Sequence, residues 1–139
     1  MEPGTHLFES HTAEVLVRLA GTDLPELFEE AGYALADVML GEGHPEAPAD
    51  AEEESISLEA GDTEALLVDW LNELISLSDA RKKVYTDFVV DRLSERALHA
   101  RVRGFTPSVL KTAVKAATFH GLRINEHEDF FTATVVLDV

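Results

Sequence analysis

Two stretches of this chain repeat their apolar residues every three or four positions, and most of the remaining apolar residues alternate with polar ones. Leu24, Leu27, Phe28, Ala31, Leu35, Val38 and Met39 make the first stretch, and Leu66, Leu67, Trp70, Leu71, Leu74 and Ile75 the second. That spacing gathers apolar side chains on one face of a helix. Asp23 and Asp62 stand at the N-cap positions, Glu26 completes a capping box with Asp23, and Gly41 closes the first helix. The alternating sets are Ala13, Val15, Val17 and Leu19; Val84, Thr86, Phe88 and Val90; Leu98, Ala100 and Val102; and Ala133, Val135, Leu137 and Val139. Period two is the signature of a strand with one buried face.

In chain order the segments read β-α-β-α-β-β-β-β. The first strand runs from about Leu7 to Leu19 and the second from about Ser55 to Glu59. A turn near Arg92 to Glu95 separates the two central strands, and a last hairpin runs from about Val114 to Ile124 and back from Phe130 to Val139. The order predicts an α+β two-layer sandwich, a mixed, mostly antiparallel sheet with two helices packed on one face. At 139 residues the chain is expected to form a single domain (1–139). Residues 41–54 are rich in Gly, Pro and acid and read as a mobile acidic surface loop.

Charge narrows the function classes. Twenty-seven acidic residues against 11 basic ones give a formal net charge of −16. Such a surface repels phosphate backbones, so no direct stable nucleic-acid binding is expected. It suits basic protein partners, or divalent cations where carboxylates converge. The chain has no cysteine, which excludes disulfides and thiolate metal sites. The start lacks a signal-peptide pattern and no apolar run approaches the roughly 20 residues of a membrane span. No membrane association and a cytoplasmic location are the resulting expectations.

The sequence stops on the alternating strand, which places the carboxylate of Asp138 beside the terminal carboxylate of Val139. Pairing Ile124 with Phe130 and counting back in antiparallel register puts Ala116 opposite Asp138 and Lys115 opposite Val139. The bland reading of this tip is an exposed acid with a salt-bridge partner, worth little at a surface. The functional reading is a mixed-charge site able to meet a phosphate or an acidic group. Other candidates are weaker. His11, His99 and His120 lie in strand-like segments without metal-ligand spacing, His6, His44 and His127 read as solvated, and Asp37 and Asp69 read as helix-surface acids. Gly-rich phosphate loops, Gly-x-Ser-x-Gly elbows and Rossmann fingerprints are all missing, and nothing marks a nucleophile.

Four blocks together resemble the archease family. They are Phe8-Glu9-Ser10-His11-Thr12-Ala13-Glu14-Val15; Ala34-Leu35-Ala36-Asp37-Val38-Met39; Leu66-Leu67-Val68-Asp69-Trp70-Leu71-Asn72-Glu73-Leu74; and Val114-Lys115-Ala116-Ala117-Thr118-Phe119-His120 with the closing Val135-Val136-Leu137-Asp138-Val139. The resemblance implies an accessory protein, not an enzyme, that activates an RtcB-type RNA ligase in tRNA splicing and RNA repair by promoting guanylylation and multiple turnover. It also implies a divalent-cation site held by Glu14, Asp138 and Val139, the last through a backbone or terminal oxygen, with Lys115 in a functionally important block. Oxygen-only ligands suit calcium or magnesium. Two departures from the family pattern stand out. Glu14 replaces the usual aspartate and is one methylene longer. Thr106-Pro107-Ser108-Val109-Leu110 lacks an expected Arg-His pair, whose contact is either absent or taken over by Arg101 or Arg103. The competing readings are a general chaperone or modulator of RNA-modifying enzymes such as tRNA methyltransferases, and a metal-dependent phosphohydrolase.

Overall fold

A computed structural model describes residues 2–11, 13–118, 121 and 123–139, apart from the side chains of Glu9, Ser10 and His11. Ten elements follow in order: β1 (Thr5–His11), β2 (Glu14–Gly21), α1 (Leu24–Leu40), β3 (Glu54–Glu59), α2 (Thr63–Arg81), β4 (Val84–Leu93), β5 (Ala97–Phe105), β6 (Ala116–Thr118), β7 (Ile124–Glu126) and β8 (Phe131–Asp138). They form the expected α+β fold, but the sheet is divided. One sheet has the order β1-β2-β8-β6, with β7 also pairing β8, and the other has the order β3-β5-β4. Every strand pairing among the described residues is antiparallel, so the mixed sheet is corrected to two antiparallel ones.

The first extended segment is also two strands. The chain reverses between His11 and Glu14, and Ala13 takes φ 64°, a left-handed conformation uncommon outside glycine. The reversal makes β1 an edge strand and leaves β2 between β1 and β8.

The helices begin where local chemistry places them. Asp23 accepts from the Glu26 amide at 2.9 Å, while the Glu26 side chain accepts from the Thr22 amide at 2.9 Å. Asp62 accepts from the Ala65 amide at 2.8 Å. Each cap satisfies an amide that the first helical turn leaves orphaned. The buried rows then meet. Val15, Val17 and Leu19 on β2 face Leu137, Val135 and Ala133 on β8. Ile56 and Leu58 on β3 face Ala100 and Leu98 on β5. Phe28 from α1 and Trp70 from α2 fill the space between, both 0% exposed, and the Trp70 indole donates to the Phe28 carbonyl at 2.8 Å. A single buried cluster draws on both helices and both sheets.

The acidic loop is tied down rather than free. The Ala47 amide donates to the Thr86 hydroxyl at 3.0 Å, and Arg103 donates to the Ala49 carbonyl at 3.2 Å. Among the described residues no helix is long and apolar enough to cross a membrane.

Candidate functional site

The pairing of β2 with β8 puts Glu14 directly opposite Asp138. Directly opposed residues project to the same face with Cβ atoms roughly 4.5–5.5 Å apart. That face is the outer one, because the flanking Val15–Leu137 pair points into the core. On the other side of β8, Ala116 is opposite Asp138. One row across three strands therefore reads Glu14, Asp138, Ala116, and the Lys115 amide donates to the Asp138 carbonyl at 2.8 Å. The Val139 amide donates to the carbonyl of Ala13 at 3.1 Å, which fastens the strand end to the β1–β2 reversal. Glu14 and Lys115 are exposed, and Asp138 and Val139 half-buried.

All four residues singled out from the sequence thus converge at one end of the larger sheet. Their charges do not neutralise one another. Among the described residues no cationic side chain pairs with either Glu14 or Asp138. Two like charges directly opposite in a sheet repel. The donor set is oxygen only, which fits a hard divalent cation and not zinc. No three His, Asp or Glu side chains among the described residues form a metal cage. A cation here would be held by the two carboxylates together with the main-chain oxygen of Val139.

The hairpin arithmetic holds where it matters and departs near the turn. Ala116 does face Asp138, but Ile124 faces Ala133 rather than Phe130. Between Thr118 and Ile124 the β6–β7 side carries three more residues than β8 does between Val136 and Ala133.

Two features escaped the sequence reading. The first is Asn72 of α2. Its Nδ2 donates to the Ala117 carbonyl at 3.0 Å, and its Oδ1 accepts from the Ala117 amide at 2.8 Å. The primary amide thereby imitates a neighbouring strand and closes the free edge of β6, one residue from the Ala116–Asp138 pair. The second joins β1, α1 and the acidic loop. His6 places Nδ1 against the Glu30 carboxylate and Nε2 against Asp37 at 2.7 Å, and His44 Nε2 lies 3.0 Å from Asp37. Burial opposes a charge on His6, but bonds to Glu30 and Asp37 and their negative charges outweigh it, holding its pKa above the ordinary imidazole value. His6, His44 and Asp37 are therefore not the solvated groups their positions suggested. Glu30 and Asp37, seven residues apart on one helix, share a face, which was the available signal.

The other candidates behave more simply. Asp69 is exposed, as expected. Arg101 is held by Asp91 at 2.9 Å and Arg103 by Asp87 at 3.0 Å, so both are engaged on the smaller sheet. His99 Nδ1 lies 3.4 Å from Asp91, within ion-pair reach but without an aligned hydrogen bond. His127 stacks on Phe130 in its exposed loop. His120 and the side chain of His11 lie outside the described residues.

A two-helix α+β sandwich with a mixed-charge strand tip defines the class of protein. Residues 7–139 match the Archease protein family (MTH1598/TM1083), so the chain belongs to the archease family. A protein archease of Pyrobaculum calidifontis is 30% identical over 150 residues, covering 99% of this chain and 97% of that protein. One from Methanosarcina barkeri is 31% identical over 137 residues, covering 93% and 92%. Among solved structures, that of a Methanobacterium thermoautotrophicum protein superposes with a TM-score of 0.73 at 29% identity, covering 98% of this chain and 99% of that one. An archease from Thermotoga maritima, described as a possible chaperone, superposes with a TM-score of 0.68 at 25% identity, covering 94% of each.

Proposed function

We propose that this protein is an accessory factor that activates an RtcB-type RNA ligase, promoting its guanylylation and multiple turnover. The observation that carries the reading is the directly opposed Glu14–Asp138 pair beside Lys115, which no cationic side chain among the described residues neutralises. In this reading the pair and the Val139 main-chain oxygen hold calcium or magnesium. The bound cation supplies positive charge that offsets the carboxylate repulsion. Asp138 orients the strand tip, and Lys115 presents an ammonium to a phosphate or carboxylate of the partner. No nucleophile is required of this chain, because the ligase performs the bond-forming steps. The acidity supports docking on a basic, RNA-handling enzyme.

The test is reconstitution with a cognate ligase, GTP and a divalent metal, scoring ligase guanylylation and turnover. Asp138→Ala and Lys115→Ala are expected to abolish stimulation with the fold intact. Absence of stimulation by the intact protein, or full stimulation by both variants, would refute the proposal. The possible chaperone role of the Thermotoga maritima relative favours a second reading, a chaperone of RNA-modifying enzymes. Stimulation of a purified RNA methylase, with none of the ligase, would select it.

A further inference from the structure

The C-terminal ends of α1 and α2 and the 106–114 segment enclose a cleft of about 250 Å³ that the strand-tip site does not use. Its floor is apolar, built from Met39, Ile75, Val84, Pro107 and Val114. Leu110 lines it and is 45% exposed, and the adjacent Val109 is 77% exposed. These are among the few large apolar side chains the fold leaves in water.

The rim is basic. Lys82 and Lys83 line the cleft directly. Lys111 lies in the same segment as Leu110, anchored by its amide to the Met39 carbonyl at 2.8 Å. These are three of the four lysines in the chain. The one carboxylate in the lining is Asp79, 4.0 Å from Lys82 in a largely exposed pair, of a kind worth little at a surface. On a chain of net charge −16, two lysines against one carboxylate make this lining net positive.

We infer that the cleft docks an acidic, leucine-bearing segment of a partner protein, with an aliphatic side chain in the slot and carboxylates on the lysine rim. The cleft, at about 250 Å³, is smaller than the roughly 300–1,000 Å³ of typical small-molecule pockets. It matches instead the anchor pockets that receive one or two side chains at protein interfaces. The lining contains no aromatic residue, so it offers no stacking platform for a nucleic-acid base. Lysines are point charges on flexible stems and tolerate carboxylates in varied positions. The inference concerns how a partner is grasped and stands whether or not that partner is an RNA ligase.

The test uses the full chain and a fluorescent peptide of alternating leucine and glutamate pairs, read by anisotropy. The controls are the same peptide with lysine for glutamate, and an oligouridine of similar length. The acidic peptide is expected to bind, and to weaken as salt shortens the Debye length from about 14 Å at 50 mM to about 6 Å at 300 mM. Lys83→Glu with Lys111→Glu should weaken it at least about tenfold, equivalent to about 1.4 kcal/mol, at unchanged Tm. Ala113→Trp, which fills the cleft without altering charge, should weaken it as well. The inference is overturned if the acidic peptide binds no better than the lysine peptide, or if both variants bind it normally. It is equally overturned if oligouridine binds more tightly. Sedimentation of the wild type as a dimer that the lysine reversals disperse would assign the cleft to a second copy of this chain, and would also overturn it.

Discussion

Asn72→Leu should loosen the strand-tip end of the larger sheet from a distance. The substitution keeps side-chain volume and removes both hydrogen bonds to Ala117. Ala117 is only 5% exposed, so water does not readily replace them. Each lost bond removes about 1 kcal/mol, and a stranded buried polar group costs about 1–3 kcal/mol. Partial hydration of the loosened edge offsets some of that, and about 3 kcal/mol is the expected loss. For a domain of this size, roughly 3–4 °C per kcal/mol gives a Tm lower by about 10 °C. Asn72→Asp separates the two bonds. The introduced carboxylate still accepts from the Ala117 amide but repels its carbonyl, and protonation restores a donor. Its deficit relative to wild type should shrink as pH falls through the carboxyl range. Thermal denaturation followed by circular dichroism measures both effects, and amide exchange at Ala117 and Thr118 localises them. If Asn72→Leu melts within about 2 °C of wild type, a margin of about half a kcal/mol, or exchange at β6 is unchanged, the claim that Asn72 holds this strand is wrong.

Three further outcomes follow from the geometry. Glu14→Gln should raise stability in chelator by about 0.2–1 kcal/mol, by removing a directly opposed like charge. The same variant should lose any increase in Tm that calcium gives the wild type; an undiminished calcium response would place the cation elsewhere. His6 gains its proton affinity on folding, so its contribution is fully present below the unfolded value of about 6.5 and is lost as pH rises through the higher folded value. Tm should fall across that window, and His6→Gln should flatten the profile; identical profiles would show that His6 does not control it. Gly104→Ala places a Cβ 2.2 Å from the Val84 carbonyl oxygen, and the forced separation of β4 and β5 should cost at least about 3 kcal/mol, read by urea denaturation.

The sequence resolved what local chemistry determines. Asp23 and Asp62 cap their own helices, so helix starts were legible from a few neighbouring residues. Alternation identified the inward faces of β2, β4, β5 and β8, because a strand's two faces are set by its own pattern. Alternation does not name a strand's neighbour, and the division into two sheets followed from pairings it cannot encode. The reversal between His11 and Glu14 was missed because Ala13 is not a turn-forming type, yet takes a positive φ. Counting from an Ile124–Phe130 pair reached Ala116–Asp138 because three extra residues before Ile124 offset the true pairing of Ile124 with Ala133. The His6–Glu30–Asp37–His44 cluster was invisible because tertiary packing alone unites its three segments.

The Glu14–Asp138 pairing also makes the strand tip a record of completed folding. Its partners lie at residues 14 and 138, with both helices and the whole smaller sheet between them in the chain. Contacts of such separation form late, after the loop-closure entropy of the intervening chain has been overcome. A chain emerging from the ribosome can cap α1 and α2 and zip β4 to β5 before the site exists in any form. Partly folded or truncated molecules would therefore lack the carboxylate pair altogether, and a partner that recognises it would engage finished copies alone.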